Sequence, residues 1–227
     1  MANAQHTCKF CKKAFRREST LAAHMCTKKK RWADRDTIAA RLGYRVYQTY
    51  FFKTTNAKRY KTQEEFIDSQ YYLSFVKFGR YLVELDPINC DEFIEYIITN
   101  GVALKEWSAP YVYEAYLEER MRREPLYIAI ERTLLTMEEW AEKNNDLYSN
   151  FFKKAHVTEI VYYIRSGKIS PWVLYLADTA DDFYNRVEPE HLLMIEYIID
   201  PVKWEVIMKT KVDDVQLVRE TLMEANL

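Results

Sequence analysis

The chain has 227 residues, of which 48% are hydrophobic and 15% aromatic, and its formal net charge at pH 7 is −1. This length is enough for one sizeable hydrophobic core or two modest ones. The sequence begins without an apolar signal segment and contains no run of about 18 apolar residues, which argues against secretion and membrane spanning. We therefore expect a cytoplasmic protein.

The first predicted element is a zinc finger in the stretch CKFCKKAFRRESTLAAHMC, residues 8–26. Cys8 and Cys11 are two residues apart, and twelve residues separate Cys11 from His24, which is the frame of a ββα finger up to its third ligand. Phe15 and Leu21 take the positions of its small apolar core. The spacing thus predicts a structural Zn²⁺ site.

The fourth ligand departs from the usual pattern, because no second histidine follows His24 at three to five residues. Cys26 is the nearest candidate, and it can reach the metal if the helix ends near His24 and the chain turns. His6 competes for the same place. With four protein ligands no coordination position stays open, so the metal is expected to be structural and not catalytic.

The charge is distributed very unevenly along the chain. Residues 1–61 contain 16 Lys and Arg against 3 Asp and Glu, whereas residues 62–227 contain 17 against 31. This asymmetry predicts a nucleic-acid-binding end joined to an acidic body. We predict three regions: a zinc finger with a basic tail (1–31), a basic helical linker (32–61) and an acidic all-α body of one or two lobes (62–227).

Phosphate binding is the predicted role of the cations in the first two regions. The candidates for DNA contact are Lys12, Lys13, Arg16, Arg17, Lys28, Lys29, Lys30, Arg31, Arg35, Arg41 and Arg45. If the finger helix lies as in DNA-reading fingers, Arg17, Thr20 and Ala23 face the base edges. One finger reads about three base pairs, so backbone binding is favoured over base reading.

Aromatic residues alternate with cations near the end of the basic region. Tyrosines and phenylalanines at helical spacing are usually packed in a core, but next to Lys and Arg they also serve as stacking platforms for bases. Both interpretations stay open for Tyr44, Tyr47, Tyr50, Phe51, Phe52 and Tyr60.

Beyond Arg31 the sequence predicts eight to ten helices and no strand. The first begins around Arg35 and is capped by Asp34 or Asp36, and a polar loop follows at residues 54–65. Helices are then predicted over 64–84, 90–100, 110–123, 126–144 and 149–166. Ser170-Pro171, Glu188-Pro189 and Asp200-Pro201 each open another helix, and residues 212–223 form the last. The predicted fold class is all-α with a small ββα finger.

We find no pattern typical of catalysis, and we predict that the protein is not an enzyme. With only four glycines the chain has no glycine-rich phosphate loop, and it has no Gly-x-Ser-x-Gly motif. His156 and His191 stand alone in the sequence. Residues 114–124, where carboxylates and arginines surround Tyr113, Tyr116 and Leu117, suit a protein-partner surface and an ordinary solvated helix equally well.

Two segments carry a resemblance to a known family: FIEYIITNGVALKEWSAPYVYEAYLEERMR (93–122) and NFFKKAHVTEIVYYIRSGKISPWVLYLADTADDFYNR (150–186). In order and hydrophobic spacing they resemble the helicase-loading protein of T-even-type bacteriophages. The resemblance implies a two-lobed all-α protein in an infected bacterial cell. Its implied partners are forked or single-stranded DNA, the replicative helicase and single-strand DNA-binding protein, with no membrane. The finger is a departure from that family.

Two other functions stay open from the sequence. A phage transcription regulator would use the finger on promoter DNA and the helical body on RNA polymerase. A recombination or nuclease-associated scaffold would use the same parts without a helicase.

Overall fold

A computed structural model describes residues 6–227, so the part of the predicted finger before His6 lies outside the described residues. Within this range the chain divides by its contacts into two compact units. The first contains the residues up to Asp86 together with Cys90–Ala109, and the second contains Pro87–Asn89 and Pro110–Leu227. The boundaries predicted at residues 31 and 61 do not coincide with this division.

The N-terminal module, residues 6–26, has the predicted ββα architecture. Strands β1 (His6–Thr7) and β2 (Ala14–Phe15) are antiparallel, with His6 opposite Phe15 and Thr7 opposite Ala14. A short helix, α1 (Glu18–Ala23), follows directly. These are the only two strands in the described residues, so the predicted fold class, all-α with a small ββα finger, is confirmed.

The first unit continues with five helices. They are α2 (Thr27–Ala33), α3 (Ile38–Thr54), α4 (Gln63–Asp68), α5 (Tyr72–Leu85) and α6 (Cys90–Thr99), with 3-10 turns at Asp34–Asp36 and Leu104–Glu106. The predicted end of the 90–100 helix is confirmed, because Gly101 has a φ of +63° just beyond it.

The second unit contains the remaining nine helices of the described chain. They are α7 (Pro110–Arg123), α8 (Leu126–Asn144), α9 (Phe151–Lys154), α10 (Val157–Arg165), α11 (Pro171–Leu176), α12 (Ala180–Tyr184), α13 (Pro189–Ile198), α14 (Pro201–Thr210) and α15 (Val212–Glu224), with a 3-10 turn at Tyr148–Asn150. All three Xaa-Pro helix starts are confirmed. Ser170 Oγ accepts from the N–H of Trp172, and Asp200 accepts from the N–H groups of Val202 and Lys203.

The basic segment 32–61 is not a linker, which corrects the sequence-based prediction. Its helix α3 packs along α5 and buries Ala40, Gly43, Val46 and Tyr47. The apolar face of α3 has the helical spacing of a core helix, and its exposed face carries the arginines. Because α3 supplies part of the core of the first unit, residues 62–227 are not a separable body.

Two local predictions in the first unit were wrong in detail. Helix α3 is capped by Thr37, whose Oγ1 accepts from the N–H of Ala40, and not by Asp34 or Asp36. The helix predicted over 64–84 breaks at Ser69, whose Oγ accepts from the N–H of Tyr71. Such side-chain bonds give the backbone an alternative to continuing a helix.

The helix predicted over 149–166 is also broken, between α9 and α10. Its interruption leaves backbone carbonyls without helical partners, and the guanidinium of Arg186 donates to those of Phe152 and Ala155. A cation from a distant part of the chain thus stabilises the break, which no local pattern could reveal. The end predicted at Gly167 is confirmed by its φ of +81°.

Helix α7 packs one side in the core of the second unit, a buried side that neither interpretation of residues 114–124 included. Tyr113, Tyr116 and Leu117 are each at most 2% exposed. The hydroxyl of Tyr113 donates to the carbonyl of Ser166 at 2.7 Å, which satisfies its buried polar group. The opposite side of this helix faces solvent and carries Tyr111, Glu118, Arg122 and Arg123.

No helix within residues 6–227 is long and apolar enough to cross a membrane.

Candidate metal centre and its basic surroundings

Four side chains of the N-terminal module converge on one point. The sulfur atoms of Cys8, Cys11 and Cys26 and a ring nitrogen of His24 all lie within 4.8 Å of one another. Cys11 Sγ is 3.2 Å from His24 Nε2. Among the described residues, this is the one group of three or more His, Cys, Asp and Glu side chains placed to hold a metal ion.

The first two donors are presented by the turn that joins β1 to β2. The N–H of Cys8 donates to the carbonyl of Lys13, and the N–H of Lys12 donates to the carbonyl of Cys8, each at 2.9 Å. Lys12 has a φ of +62°, in the left-handed region that reverses the chain tightly. This turn places the two thiols of the Cys-x-x-Cys motif on one side of the backbone.

The third and fourth donors depend on where α1 ends. The helix stops at Ala23, and His24 is extended with a ψ of 123°, so the chain turns before the next helix. Cys26 is then the N-cap of α2, and its Sγ accepts from the N–H of Lys29 at 3.4 Å. The predicted turn after His24 is confirmed. His6 pairs with Phe15 in the strands and is not one of the four converging residues.

Apolar packing inside the module is sparse. The rings of Phe15 and His24 are 4.7 Å apart between centroids, yet Phe15 and Leu21 are only half-buried and no residue of α1 is buried. So small a core cannot offset the entropy lost on folding. Modules with so small a core are commonly stabilised by metal ligation.

The surroundings shift the pKa values of the Cys8 and Cys11 thiols in opposite directions. Hydrogen bonding from the backbone N–H of Cys11, the largest effect, outweighs burial and lowers the pKa of Cys8 to about 7. The N–H of Lys13 favours the Cys11 thiolate, but burial and the neighbouring Cys8 and Cys26 outweigh it and raise the pKa of Cys11. Thiols packed this closely resist carrying several negative charges unless a cation lies among them. Three sulfurs and one imidazole nitrogen are a ligand set typical of structural zinc.

The predicted DNA-binding residues separate into two groups. Six of them are exposed, and no carboxylate in residues 6–227 pairs with them: Lys12, Lys13, Arg16, Arg17, Lys30 and Arg41. The other five make contacts inside the first unit: Lys28, Lys29, Arg31, Arg35 and Arg45. Sequence alone gave no means of telling these groups apart.

Arg31 holds α2 against the next two helices. Its Nη1 donates to the carbonyls of Ile67 at 2.7 Å and Ser69 at 3.2 Å, which are the carbonyls released where α4 ends. Its guanidinium also lies 4.4 Å from the ring centroid of Tyr72. These contacts give Arg31 a structural role, because its Nη1 bonds lie inside the unit and its Nε is buried away from solvent.

The other four cations of this group also make contacts inside the first unit. Lys28 pairs with Asp68 at 2.7 Å, and Lys29 Nζ donates to the carbonyl of His24 at 3.0 Å. Arg35 donates to the carbonyl of Trp32 at 2.8 Å and pairs with Asp36, and Arg45 pairs with Asp91. Exposed pairs such as these contribute little to stability and open readily.

The three residues predicted to face base edges, at the N-cap of α1 and within it, are open to solvent. Arg17, Thr20 and Ala23 are all exposed. Lys9, which the prediction omitted, is exposed in the same turn as Lys12 and has its Nζ 5.1 Å from the Phe10 ring. Its position between two metal ligands was the signal that could have identified it.

Most aromatic residues of the basic segment belong to the core. Tyr47 is buried, and the rings of Tyr50 and Phe51 pack with Phe75. Phe52 and Tyr60 are the exceptions, with 38% and 56% of their surfaces exposed.

In comparisons with known proteins, no protein-family model, no curated protein and no solved structure matches this chain.

Proposed function

We propose that the four donors bind one structural zinc ion and that the module folded by this ion holds DNA through its phosphate backbone. The observation that carries the proposal is the exposed group of cations around the Cys₃His cluster. Lys12, Arg16 and Arg17 lie in the sequence between Cys11 and His24, and no described carboxylate neutralises them. A metal-folded support orders these side chains at little further cost in entropy, which favours phosphate binding.

The opposite net charges of the two units support different binding partners for each. The first unit contains 19 Lys and Arg against 12 Asp and Glu, a net charge of +7, and the second contains 14 against 22, a net of −8. Phosphate is attracted to the first and repelled by the second. We assign DNA to the first unit and a protein partner to the second.

For the protein partner we propose the replicative helicase. The support is the resemblance of residues 93–122 and 150–186 to the phage helicase loader, together with the charge division. On this proposal the protein brings helicase to forked or single-stranded DNA covered by single-strand binding protein, in an infected bacterial cell, and it carries out no catalysis.

The test compares the full-length, zinc-loaded protein on forked, duplex and single-stranded DNA at one salt concentration. We expect tighter binding to the fork and faster unwinding by the cognate helicase on DNA covered by single-strand binding protein. The salt concentration must be matched because phosphate binding alone can imitate a preference for a DNA structure. Equal affinity for fork and duplex, with no effect on unwinding, contradicts the loader proposal.

A transcription regulator is the second candidate, and one observation favours it. Arg17 at the N-cap of α1 and Thr20 and Ala23 within the helix are all exposed, as base reading in a major groove requires. Binding to one promoter duplex at least about 1,000-fold tighter than to scrambled duplex would select this function, since that ratio is the lower range for specific DNA-binding proteins.

A further inference from the structure

Phe52 and Tyr60 form a stacked pair of rings on the surface of the first unit. Their centroids are 4.5 Å apart and their planes are inclined by 23°. Both side chains are exposed, whereas the ring of the preceding Phe51 points into the aromatic core beside Tyr47 and Phe75. We call Phe52 and Tyr60 the stacking pair.

The stacking pair is held in place by the loop that returns along α3. Asn56, with a φ of +51°, reverses the chain after the helix ends. The carbonyl of Lys61 then accepts from the Tyr44 hydroxyl at 3.0 Å and from Gln48 Nε2 at 2.9 Å. Gln48 lies one helical turn before Phe52 on the same face, so anchoring Lys61 there sets the adjacent Tyr60 beside Phe52.

A second set of contacts fixes the loop from the other side. Glu65 accepts from Arg59 at 2.8 Å, from Lys61 at 3.1 Å and from the N–H of Thr62 at 2.8 Å. Arg59 also donates to the carbonyl of Tyr60 at 3.0 Å. The exposed rings are therefore preorganised, so the protein side chains lose little conformational freedom when a ligand covers them.

The segment that carries the stacking pair is rich in cations, although carboxylates from outside it pair with four of them: Asp91 with Arg45, Glu95 with Lys53, and Glu65 with Arg59 and Lys61. No acidic residue occurs between Asp36 and Glu64, and this interval contains Arg41, Arg45, Lys53, Lys58, Arg59 and Lys61. Lys58 is exposed and has no carboxylate partner in the described residues. Exposed aromatic rings among cations suit a ligand with a flat π-face and a polyanionic backbone.

We propose that the stacking pair is a binding site for an unpaired base of a single-stranded nucleic acid. The inference rests on the proposed DNA binding and adds to it a preference for strands whose bases are accessible. A base of any identity can cover an exposed ring, while Lys58, which has no described carboxylate partner, binds an adjoining phosphate. The bases of an intact duplex are already stacked on each other and cannot reach the pair.

The experiment measures affinity of the full-length, zinc-loaded protein for three probes at one salt concentration. The probes are a deoxythymidine oligonucleotide, an abasic strand with the same number of phosphates, and a duplex of equal length. Because the abasic strand keeps the charge and lacks the bases, it separates stacking from phosphate binding. We expect the wild-type protein to bind the deoxythymidine strand more tightly than the abasic one.

The variant Phe52→Leu/Tyr60→Leu keeps apolar bulk and removes both aromatic faces. We expect about a tenfold loss of affinity for the deoxythymidine strand, as for one lost stacked base, with unchanged affinity for the other two probes. Tyr60→Phe keeps the ring and should bind as wild type, and Tyr111→Leu, at an exposed tyrosine of the second unit, is the matched control. Circular dichroism and zinc content verify that each variant is folded.

The possible results distinguish this inference from the function on which it rests. If the double variant keeps its affinity for the deoxythymidine strand, or loses affinity for all three probes equally, the stacking inference is wrong while DNA binding stands. If the wild-type protein binds none of the probes, the proposed DNA binding is wrong and the inference fails with it. Photo-crosslinking of 5-iododeoxyuridine in a single strand to Phe52 or Tyr60 is an independent positive result.

Discussion

Gly43 and Gly79 face each other where α3 crosses α5, and neither position has room for a side chain. A Cβ atom built on Gly79 would lie 2.2 Å from the carbonyl oxygen of Ala39 and 2.7 Å from the backbone nitrogen of Gly43. A Cβ on Gly43 would lie 2.7 Å from the carbonyl oxygen of Phe75. Two backbones this close require glycine on both helices.

We predict that Gly79→Ala destabilises the first unit, although alanine is the better helix former. The helix-propensity gain is about 1 kcal/mol. The new methyl group meets backbone atoms that cannot rotate away, and forced separation of the helices costs about 1–3 kcal/mol or more. Thermal unfolding followed by circular dichroism should show a lower transition temperature.

The control is Gly101→Ala, where a Cβ atom meets nothing within 4 Å and only the left-handed backbone opposes the change. Its cost should be about 1–2 kcal/mol. If Gly79→Ala is as stable as the wild type, the close packing of the two helices is wrong.

Zinc binding should depend on Cys26 and not on His6. The full-length reduced protein is expected to contain about one equivalent of zinc, and Cys26→Ser should release it more easily because a hydroxyl is a poor substitute for a thiolate. His6→Ala should keep wild-type affinity. Competition with a chromophoric chelator measures the zinc affinity of the wild type and of both variants.

Cys90→Ser is the matched control for the loss of one thiol, because Cys90 lies in α6, outside the cluster. Loss of zinc from His6→Ala with full retention by Cys26→Ser would reverse the ligand assignment.

Neutralising the exposed cations should weaken DNA binding in a salt-dependent way. The variant Lys12→Gln/Arg16→Gln/Arg17→Gln removes three charges. The plot of log K against log salt has a negative slope, and each lost duplex phosphate contact makes that slope less steep by about 0.9. Fluorescence anisotropy at several salt concentrations gives the slope.

The control is Lys143→Gln/Lys153→Gln/Arg219→Gln, three cations of the second unit that are also exposed and without described carboxylate partners. Equal slopes for the two triple variants would place the DNA site elsewhere.

Arg31 and Lys30 are neighbours with opposite expected roles. Arg31→Gln removes hydrogen bonds to two backbone carbonyls and should destabilise the first unit by about 2 kcal/mol. Lys30→Gln leaves the fold unchanged and should lower DNA affinity, since Lys30 is exposed and unpaired among the described residues. Thermal unfolding measures the stability of both variants, and fluorescence anisotropy measures their DNA affinity. Equal changes in stability and in DNA affinity for the two substitutions would contradict the different roles.

Asp146 makes the second unit sensitive to acid. Hydrogen bonds from Lys154, Asn150 and the N–H of Leu147 lower the pKa of its carboxyl from 3.8 to about 2. A lowered pKa in the folded state means that the stabilisation is complete above about pH 4 and is lost as the pH falls towards 2.

Asp146→Asn should therefore be less stable than the wild type at pH 6, and the difference should shrink between pH 4 and pH 2. Thermal unfolding of both proteins at pH 6, pH 4 and pH 2 tests whether the stability difference shrinks as the pH falls. Asp178→Asn, an exposed position whose side chain has no described hydrogen bond, is the control.

The elements that could be predicted were those whose cause is local. Helix α7 begins at Pro110 as predicted, and α8 covers its predicted range, because helical spacing of apolar residues and terminal signals act within a few residues. The break at Ala155 was missed because Arg186 binds the carbonyls there from 31 or more residues away. At Ser69 the local bond from the Tyr71 N–H acts together with Arg31, which lies 36 or more residues away.

By itself the sequence determined the all-α class, the ββα module, and a set of Cys8, Cys11 and His24 with Cys26 or His6. Metal-ligand spacing and helical periodicity are properties of short segments, so one sequence is enough to read them. Only the tertiary structure decided that Cys26 joins the cluster, that α3 belongs to a core, and which cations stay exposed. Those outcomes depend on which distant backbone groups come within about 3 Å of a side chain, and such distances are fixed only when the helices pack.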